Sequence, residues 1–331
     1  MSAPTESATA QLALPGIEEG AEVEWTWAED ESDDMMPTSF VHVTVMRAEV
    51  VAAMAPVPGG VYVDATLGGG GHAEAILEAE PEARLIGLDR DPVALEAAGQ
   101  RLARFGDRVR LVHTTFGRVE RALEEIGQAP VQGVYADLGV SSPQLDAAER
   151  GMSFRREGPI DMRMDQTSGE TALELMDRLD DDELANVIFR YGDERRSRRI
   201  ARSIKKALEE GELATTLDLR RAIVRAVGPV RVGGVDPATR TFQALRIAVN
   251  REVEELEALL EGLPAVVAPS GHAAIISFHS LEDRLVKQAF KGDDAWHVVT
   301  KRPLVPSDDE GAQNVRARSA KLRVARRAGE D

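Results

Sequence analysis

Val61-Tyr62-Val63-Asp64-Ala65-Thr66-Leu67-Gly68-Gly69-Gly70-Gly71-His72 is the stretch on which the fold turns. A short β-prone run ends on an acid, four glycines follow, and the alanine-rich residues from Ala73 to Glu80 have a helical composition. Strand, glycine turn and helix together open a nucleotide-type α/β fold. Glycines let the backbone approach a ligand, and the first N–H groups of the helix have no intrahelical partner. Four glycines are equally compatible with a plain flexible loop, so the reading depends on what comes next.

Further along, Leu85-Ile86-Gly87-Leu88 reads as a second buried strand ending on Asp89, before Arg90-Asp91-Pro92 and a helix. An acid at this place accepts ribose hydroxyls, and dinucleotide folds carry theirs about 20 residues after the glycine turn. Two further units keep the rhythm: Val109 to Val112 leading to Phe116, and Val131 to Tyr135 leading to Asp137-Leu138-Gly139-Val140-Ser141-Ser142-Pro143. Alternating strands and helices predict a parallel sheet with ligands at the carboxyl ends of its strands, which brings Asp89, Phe116 and Asp137 to one crevice. The glycines do not form the G-x-G-x-x-G phosphate turn of a nicotinamide-dependent oxidoreductase, and Asp64 before them would repel a diphosphate. That acid suits the cationic amino-acid part of S-adenosylmethionine, although an aspartate that merely caps the turn reads the same way.

After Pro143 the pattern becomes helical. Thr171-Ala172-Leu173-Glu174 has the form of a capping box, Leu184 to Tyr191 stops at Gly192, and Ile200 to Leu208 stops near Gly211. One long helix is expected from about Thr239 to Gly262 and Pro264, and Ala273-Ala274-Ile275-Ile276-Ser277-Phe278 then restores a buried strand. The expected organisation is a Rossmann-like class I methyltransferase sheet (α/β) built from residues 39–144 and 250–331. An all-helical insert at 145–249 interrupts it, and an acidic tail covers 1–38.

The chain has no cysteine, which removes disulfides, thiolate metal sites and a thiol nucleophile together. The six histidines are scattered without ligand spacing, so no metal is expected. No secretory start and no membrane-length apolar run is seen, and a cytoplasmic setting is expected. The formal net charge of -17 argues against nucleic acid only as an average. Residues 1–38 carry ten acids and no lysine or arginine, including Glu29-Asp30-Glu31-Ser32-Asp33-Asp34, and are read as disordered; Trp25 and Trp27 within them are of no assigned role. The basic residues gather instead in the insert, above all in Arg195-Arg196-Ser197-Arg198-Arg199-Ile200-Ala201-Arg202-Ser203-Ile204-Lys205-Lys206, a run that alone is equally a solvated helix face.

Four longer motifs are specific. They are Asp137-Leu138-Gly139-Val140-Ser141-Ser142-Pro143-Gln144-Leu145-Asp146, Gly158-Pro159-Ile160-Asp161-Met162-Arg163-Met164-Asp165, Pro237-Ala238-Thr239-Arg240-Thr241-Phe242-Gln243-Ala244-Leu245-Arg246-Ile247, and Ile276-Ser277-Phe278-His279-Ser280-Leu281-Glu282-Asp283-Arg284. In this order the chain resembles the small-subunit ribosomal RNA methyltransferase H family, from about Phe40 nearly to the C-terminus. The resemblance implies N4-methylation of a cytidine in the decoding region of 16S ribosomal RNA. It also implies S-adenosylmethionine contacts from Gly70, Gly71, His72, Asp89, Phe116, Asp137 and Gln144, of which His72 and Gln144 rest on the resemblance alone. The chain departs from the family at Asp236, where histidine is common, and at Val315, where proline is usual.

The exocyclic amine of cytosine is a poor nucleophile, so direct attack on a sulfonium methyl calls for positioning and for acceptors that hold the amine hydrogens. Ser141, Ser142 and His279, at the ends of neighbouring strands, are the candidates. Ser142-Pro143 lacks the aromatic residue that many amino-methyltransferases place after it, and Phe278 is the candidate substitute. Ser280 reads as a helix cap. Arg163, Arg240 and Arg246 are candidate phosphate contacts, with an ion pair to Asp161 or Asp165 the alternative for Arg163 and a clamp to the sheet for Arg240. The stretch Arg316 to Arg323 carries the same two readings, phosphate contact or structural role, and its last residues are expected to enter an edge strand. The expected partner is 16S ribosomal RNA, as the assembled small subunit rather than naked RNA, and a homodimer is left open. The alternatives are an amino-methyltransferase acting on another nucleic acid, or a non-catalytic RNA-binding protein.

Overall fold

The computed structural model describes residues 44–230 and 235–329. The acidic tail, with Trp25 and Trp27, lies outside the described residues. The chain runs α1 (Arg47–Met54), β1 (Val61–Asp64), α2 (Gly71–Ala79), β2 (Arg84–Asp89), α3 (Pro92–Leu102), β3 (Val109–His113), α4 (Val119–Ile126), β4 (Val131–Asp137) and the short α5 (Ser142–Asp146). Then come α6 (Ala172–Arg178), α7 (Asp181–Gly192), α8 (Ser197–Glu209), α9 (Thr216–Val227), α10 (Thr239–Asn250) and α11 (Glu252–Val266). The sheet resumes with β5 (Val267–Ser277), α12 (Ser280–Gly292), β6 (Trp296–Val298), α13 (Asp308–Gln313) and β7 (Lys321–Arg327).

Among the described residues the sheet has seven strands in the order β3-β2-β1-β4-β5-β7-β6. The first five are parallel, while β7 is antiparallel to both β5 and β6. This is the Rossmann-like methyltransferase arrangement expected from the alternating elements. The inner parallel strands β1, β2 and β4 are mostly buried because both their faces are covered, while Arg110 and His113 of the edge strand β3 are exposed. Val61 and Val63 of β1 pack with α4, α11 and α12, whereas Tyr62 between them packs with α1, α2 and α3. Each such buried aliphatic side chain contributes roughly 1.5–3 kcal/mol.

Helices α6 to α10 have an apolar core of their own, in which Leu184, Ile188, Ile200, Ile204, Leu219, Ile223 and Leu245 are buried. The capping box at the start of α6 forms, with Glu174 N donating to Thr171 Oγ1 (3.2 Å) and Thr171 N to a Glu174 carboxylate oxygen (2.7 Å).

Three expectations are corrected. The long helix is two, broken at Arg251, whose φ of 53° is left-handed; α10 packs on α7, while Leu256, Leu259 and Leu263 of α11 join the sheet core. The second half runs past Gly262, with Pro264 accommodated in its last turn. The C-terminal strand is not at the edge either. It lies between β5 and the three-residue β6, and its Leu322, Val324 and Ala325 are all buried, because an inner strand is covered on both faces.

Candidate active site

The ends of β1, β2 and β4 deliver Asp64, Asp89 and Asp137 to one crevice. Asp64 is buried, with Oδ1 accepting from Thr66 N (3.1 Å), and burial pushes its carboxyl up to about 7. Thr66 also accepts from Asp137 N at 2.6 Å, so the first turn ties two strand ends together. Asp89 binds the glycine turn through Gly68 N (2.7 Å) and its own following turn through Asp91 N (2.8 Å); burial raises this carboxyl too. Asp137 is raised well above the ordinary carboxylate range, first by burial and then by the charges of Asp64, Glu282 and Glu310. Its Oδ1 is buried with no hydrogen-bond partner among the described residues.

The glycine turn shows why its residues lack side chains. Gly70 has a φ of 76° and starts α2. A Cβ on Gly71 would lie 1.9 Å from Thr44 Oγ1, because residues 44–46 run directly over the turn. His72, on the same turn, is buried: Nε2 is 2.8 Å from Val45 O, and Nδ1 stands 4.0 Å from Asp137 Oδ2. Phe116 opens a short turn after β3, half-buried, and the adjoining Gly117 N donates to Glu255 (2.9 Å).

Gln144 is placed behind the crevice wall. Its Oε1 accepts from Ser141 N (3.0 Å), and its Nε2 donates to Asp91 Oδ2 (2.8 Å), which Arg150 also reaches at 2.8 Å. This buried Gln144–Asp91–Arg150 cluster was missed by the sequence reading, where only Asp91-Pro92 hinted at a capped helix start.

Ser141 and Ser142 follow β4 at the start of α5, half-buried, and His279 follows β5 as the N-cap of α12. The two strands are neighbours and their ends are stitched by Leu138 N to Ile276 O (3.1 Å). The helix cap is thus His279 and not Ser280. Its imidazole is oriented by Glu282, with Nδ1 3.4 Å from Glu282 N and Nε2 3.1 Å from Oε1. Burial works to raise the Glu282 carboxyl, but His279, the Phe278 N–H and Arg246 together hold it below its ordinary value. Phe278 lies against Gly139, 3.7 Å from where a Cβ would stand.

The three arginines behave differently from one another. Arg163 forms a two-pronged pair with Asp161 (2.7 and 2.9 Å), which is the alternative foreseen for it. Arg246 is buried against Glu252 (2.8 and 2.9 Å), with Glu282 nearby. Arg240 is exposed and donates only to Asp193 O (3.2 Å) among its described contacts. Lys205 of the basic run donates to the carbonyls of Met176, Asp177 and Leu179 at the end of α6, a helix-terminating role. Asp236, where the chain departs from the family pattern, pairs with Arg220 and accepts from Ala238 N (2.9 Å).

Residues 39–328 match the MraW methylase family. The chain belongs to that family. It is 63% identical over 293 residues to the ribosomal RNA small subunit methyltransferase H of Sorangium cellulosum, covering 88% of this chain and 93% of that one. It is 50% identical over 297 residues to the protein of the same name from Synechococcus elongatus, covering 89% and 98%. Among solved structures, a putative rRNA-methylase from Clostridium thermocellum aligns with a TM-score of 0.43 at 12% identity, covering 88% of this chain and all of that one. As a member of a methylase family the chain is a methyltransferase, and its cofactor is S-adenosylmethionine. The crevice fits that cofactor. Carboxylates raised first by burial and then by neighbouring negative charge, one with an unpartnered oxygen, favour a ligand that brings positive charge, as a sulfonium and an ammonium do. Among the described residues no helix is long and apolar enough to cross a membrane.

Proposed function

We propose that the protein methylates N4 of a cytidine in the decoding region of 16S ribosomal RNA, acting on the assembled small subunit. The observation that carries this reading is the 63% identity, over most of both chains, to a protein named as a small-subunit ribosomal RNA methyltransferase. Residues 145–249 are taken as the RNA-recognition unit and the strand ends as the transfer site.

The bound cofactor supplies an electrophilic methyl group. Asp89 accepts ribose hydroxyls, keeping both its oxygens tied to backbone N–H groups, while Asp64 and Asp137, raised by burial, are drawn into their charged form by the cationic amino-acid end. The backbone at Gly70 and Gly71 allows close approach, His72 stands at the start of α2 and Phe116 on the turn after β3, and Gln144 fixes the β4 loop from behind. Ser141 and Ser142 are assigned to accept the amine hydrogens of a cytosine and turn its nitrogen toward the methyl group, while His279, whose two ring nitrogens both face Glu282, holds the end of β5 beside them. Proximity does most of the work, and no enzyme nucleophile is needed, in keeping with a chain that has no cysteine. An acidic protein has limited affinity for RNA in general, which favours a folded particle as substrate.

The test is methyl transfer from labelled S-adenosylmethionine to unmodified small subunits, followed by nucleoside analysis. N4-methylcytidine is expected. Asp89→Ala should weaken cofactor binding roughly a hundredfold, since charged hydrogen bonds contribute about 1.5–3 kcal/mol each. A different methylated nucleoside would overturn the specificity, and equal rates on protein-free 16S RNA would overturn the choice of particle.

A further inference from the structure

Arg316 belongs to a short turn, Val315–Ser319, that follows α13. Its Nη2 lies 3.4 Å from Oδ1 of Asp146, the last residue of α5, while Nη1 is buried with no hydrogen-bond partner among the described residues. Burial pushes this guanidinium below its ordinary value; Asp146 opposes the shift and the charge of Arg155 adds to it. Arg156, beside Arg155, donates Nη1 to the backbone carbonyl of Asp146 (3.3 Å). Two separate segments thus bring three guanidinium groups to the C-terminal end of α5. The one carboxylate found among them is half exposed and is met by a single prong of Arg316.

Two less exposed ion pairs look different. Arg163 and Arg246 engage their carboxylates with both prongs at 2.7–2.9 Å. At Arg316 the fork is left unfilled, and a bidentate acceptor such as a phosphate matches it. The position matters as well: α5 starts at Ser142, so the cluster stands one short helix away from the end of β4.

We propose that Arg155, Arg156 and Arg316 form a phosphodiester-binding site that takes the RNA backbone beside the target base. The proposal rests on the reading of RNA as substrate. Asp146 is then an internal placeholder, which holds Arg316 until a phosphate replaces it.

The experiment uses the full chain and two readouts: KM for unmodified small subunits, and anisotropy of a labelled oligouridylate across a series of KCl concentrations. Arg155→Gln, an exposed substitution that does not threaten the fold, and Arg316→Gln should each weaken RNA binding about tenfold and lower the salt slope by roughly 0.7, the value for one phosphate contact on a single strand. Cofactor affinity should not change. Arg316→Lys should keep the salt slope, and Asp146→Asn should tighten RNA binding by removing the competing carboxylate. An unchanged salt slope in Arg155→Gln and Arg316→Gln would overturn the site, as would weaker RNA binding by Asp146→Asn at an unaltered melting temperature; Arg316 would then only tie α5 to the C-terminal segment. If small subunits are not methylated but the oligouridylate slope still depends on both arginines, the proposed function fails and the phosphate site stands.

Discussion

At the carboxyl ends of β1, β2 and β4, three aspartates stand with no lysine or arginine paired to them among the described residues, and burial raises all three. Across the chain in the helical region, buried acids at 161 and 236 each face an arginine, as Glu252 does where α10 meets α11. Burying an ion costs several kcal/mol, and an opposite charge is the usual remedy. Where the partner is a side chain the group is structural; where the partner is missing, a ligand has to bring it. The contrast separates the candidate cofactor crevice from the scaffold without any reference to family.

The largest test of that contrast is Arg246→Ala. It leaves Glu252 buried and unpaired, so unfolding in urea should show a loss of about 3–5 kcal/mol. A loss below about 1 kcal/mol would mean that the pair is not structural, and would return Arg246 to the candidate RNA contacts.

Next in size is a pH effect in the crevice itself. Asp64 titrates near 7 when folded, against 3.8 when exposed, so between those values the folded chain holds more protons than the unfolded one. Stability from this group therefore falls as pH rises through that window, by about 2–3 kcal/mol between roughly pH 5 and pH 8. Thermal melting without cofactor should show the decline, Asp64→Asn should flatten it, and saturating S-adenosylmethionine should reverse much of it. A melting temperature that rises with pH in the cofactor-free protein would contradict the picture of stressed acids.

The smallest effect is expected at Arg163→Ala, whose pair with Asp161 is partly solvated at 21% and 11% exposure. About 1 kcal/mol or less of stability should be lost. Loss of methyl transfer without loss of stability would restore Arg163 as a substrate contact and break the rule that a paired arginine is scaffold.

The crevice was legible in the sequence because a buried parallel strand is a continuous apolar run and its end is marked by the first acid: Val63-Asp64, Leu88-Asp89, Ala136-Asp137. What escaped depended on chain reversals that local pattern does not encode. Arg246 and Glu252 are six residues apart and would face different sides of a single helix. The left-handed residue Arg251 breaks the helix and brings them together, so an arginine that looked free on a continuous helix is buried. Likewise nothing near Glu310 announces that it approaches Met46, with Met46 N donating to its Oε1 at 2.7 Å, or that its charge acts on Asp137. The place of β7 is set by which strands it pairs with, and Lys321 to Arg327 reads the same at an edge as inside.

That inner position has a consequence for biosynthesis. Residues 321–327 pair with β5 on one side and carry β6 on the other, although β6 is made first. While the ribosome is still translating, β5 therefore has a bare backbone edge and β6 has nothing to pair with. The β5 edge therefore stays bare until residues 321–327 have emerged, and a nascent chain stalled before residue 321 would expose a sticky edge for other chains to join.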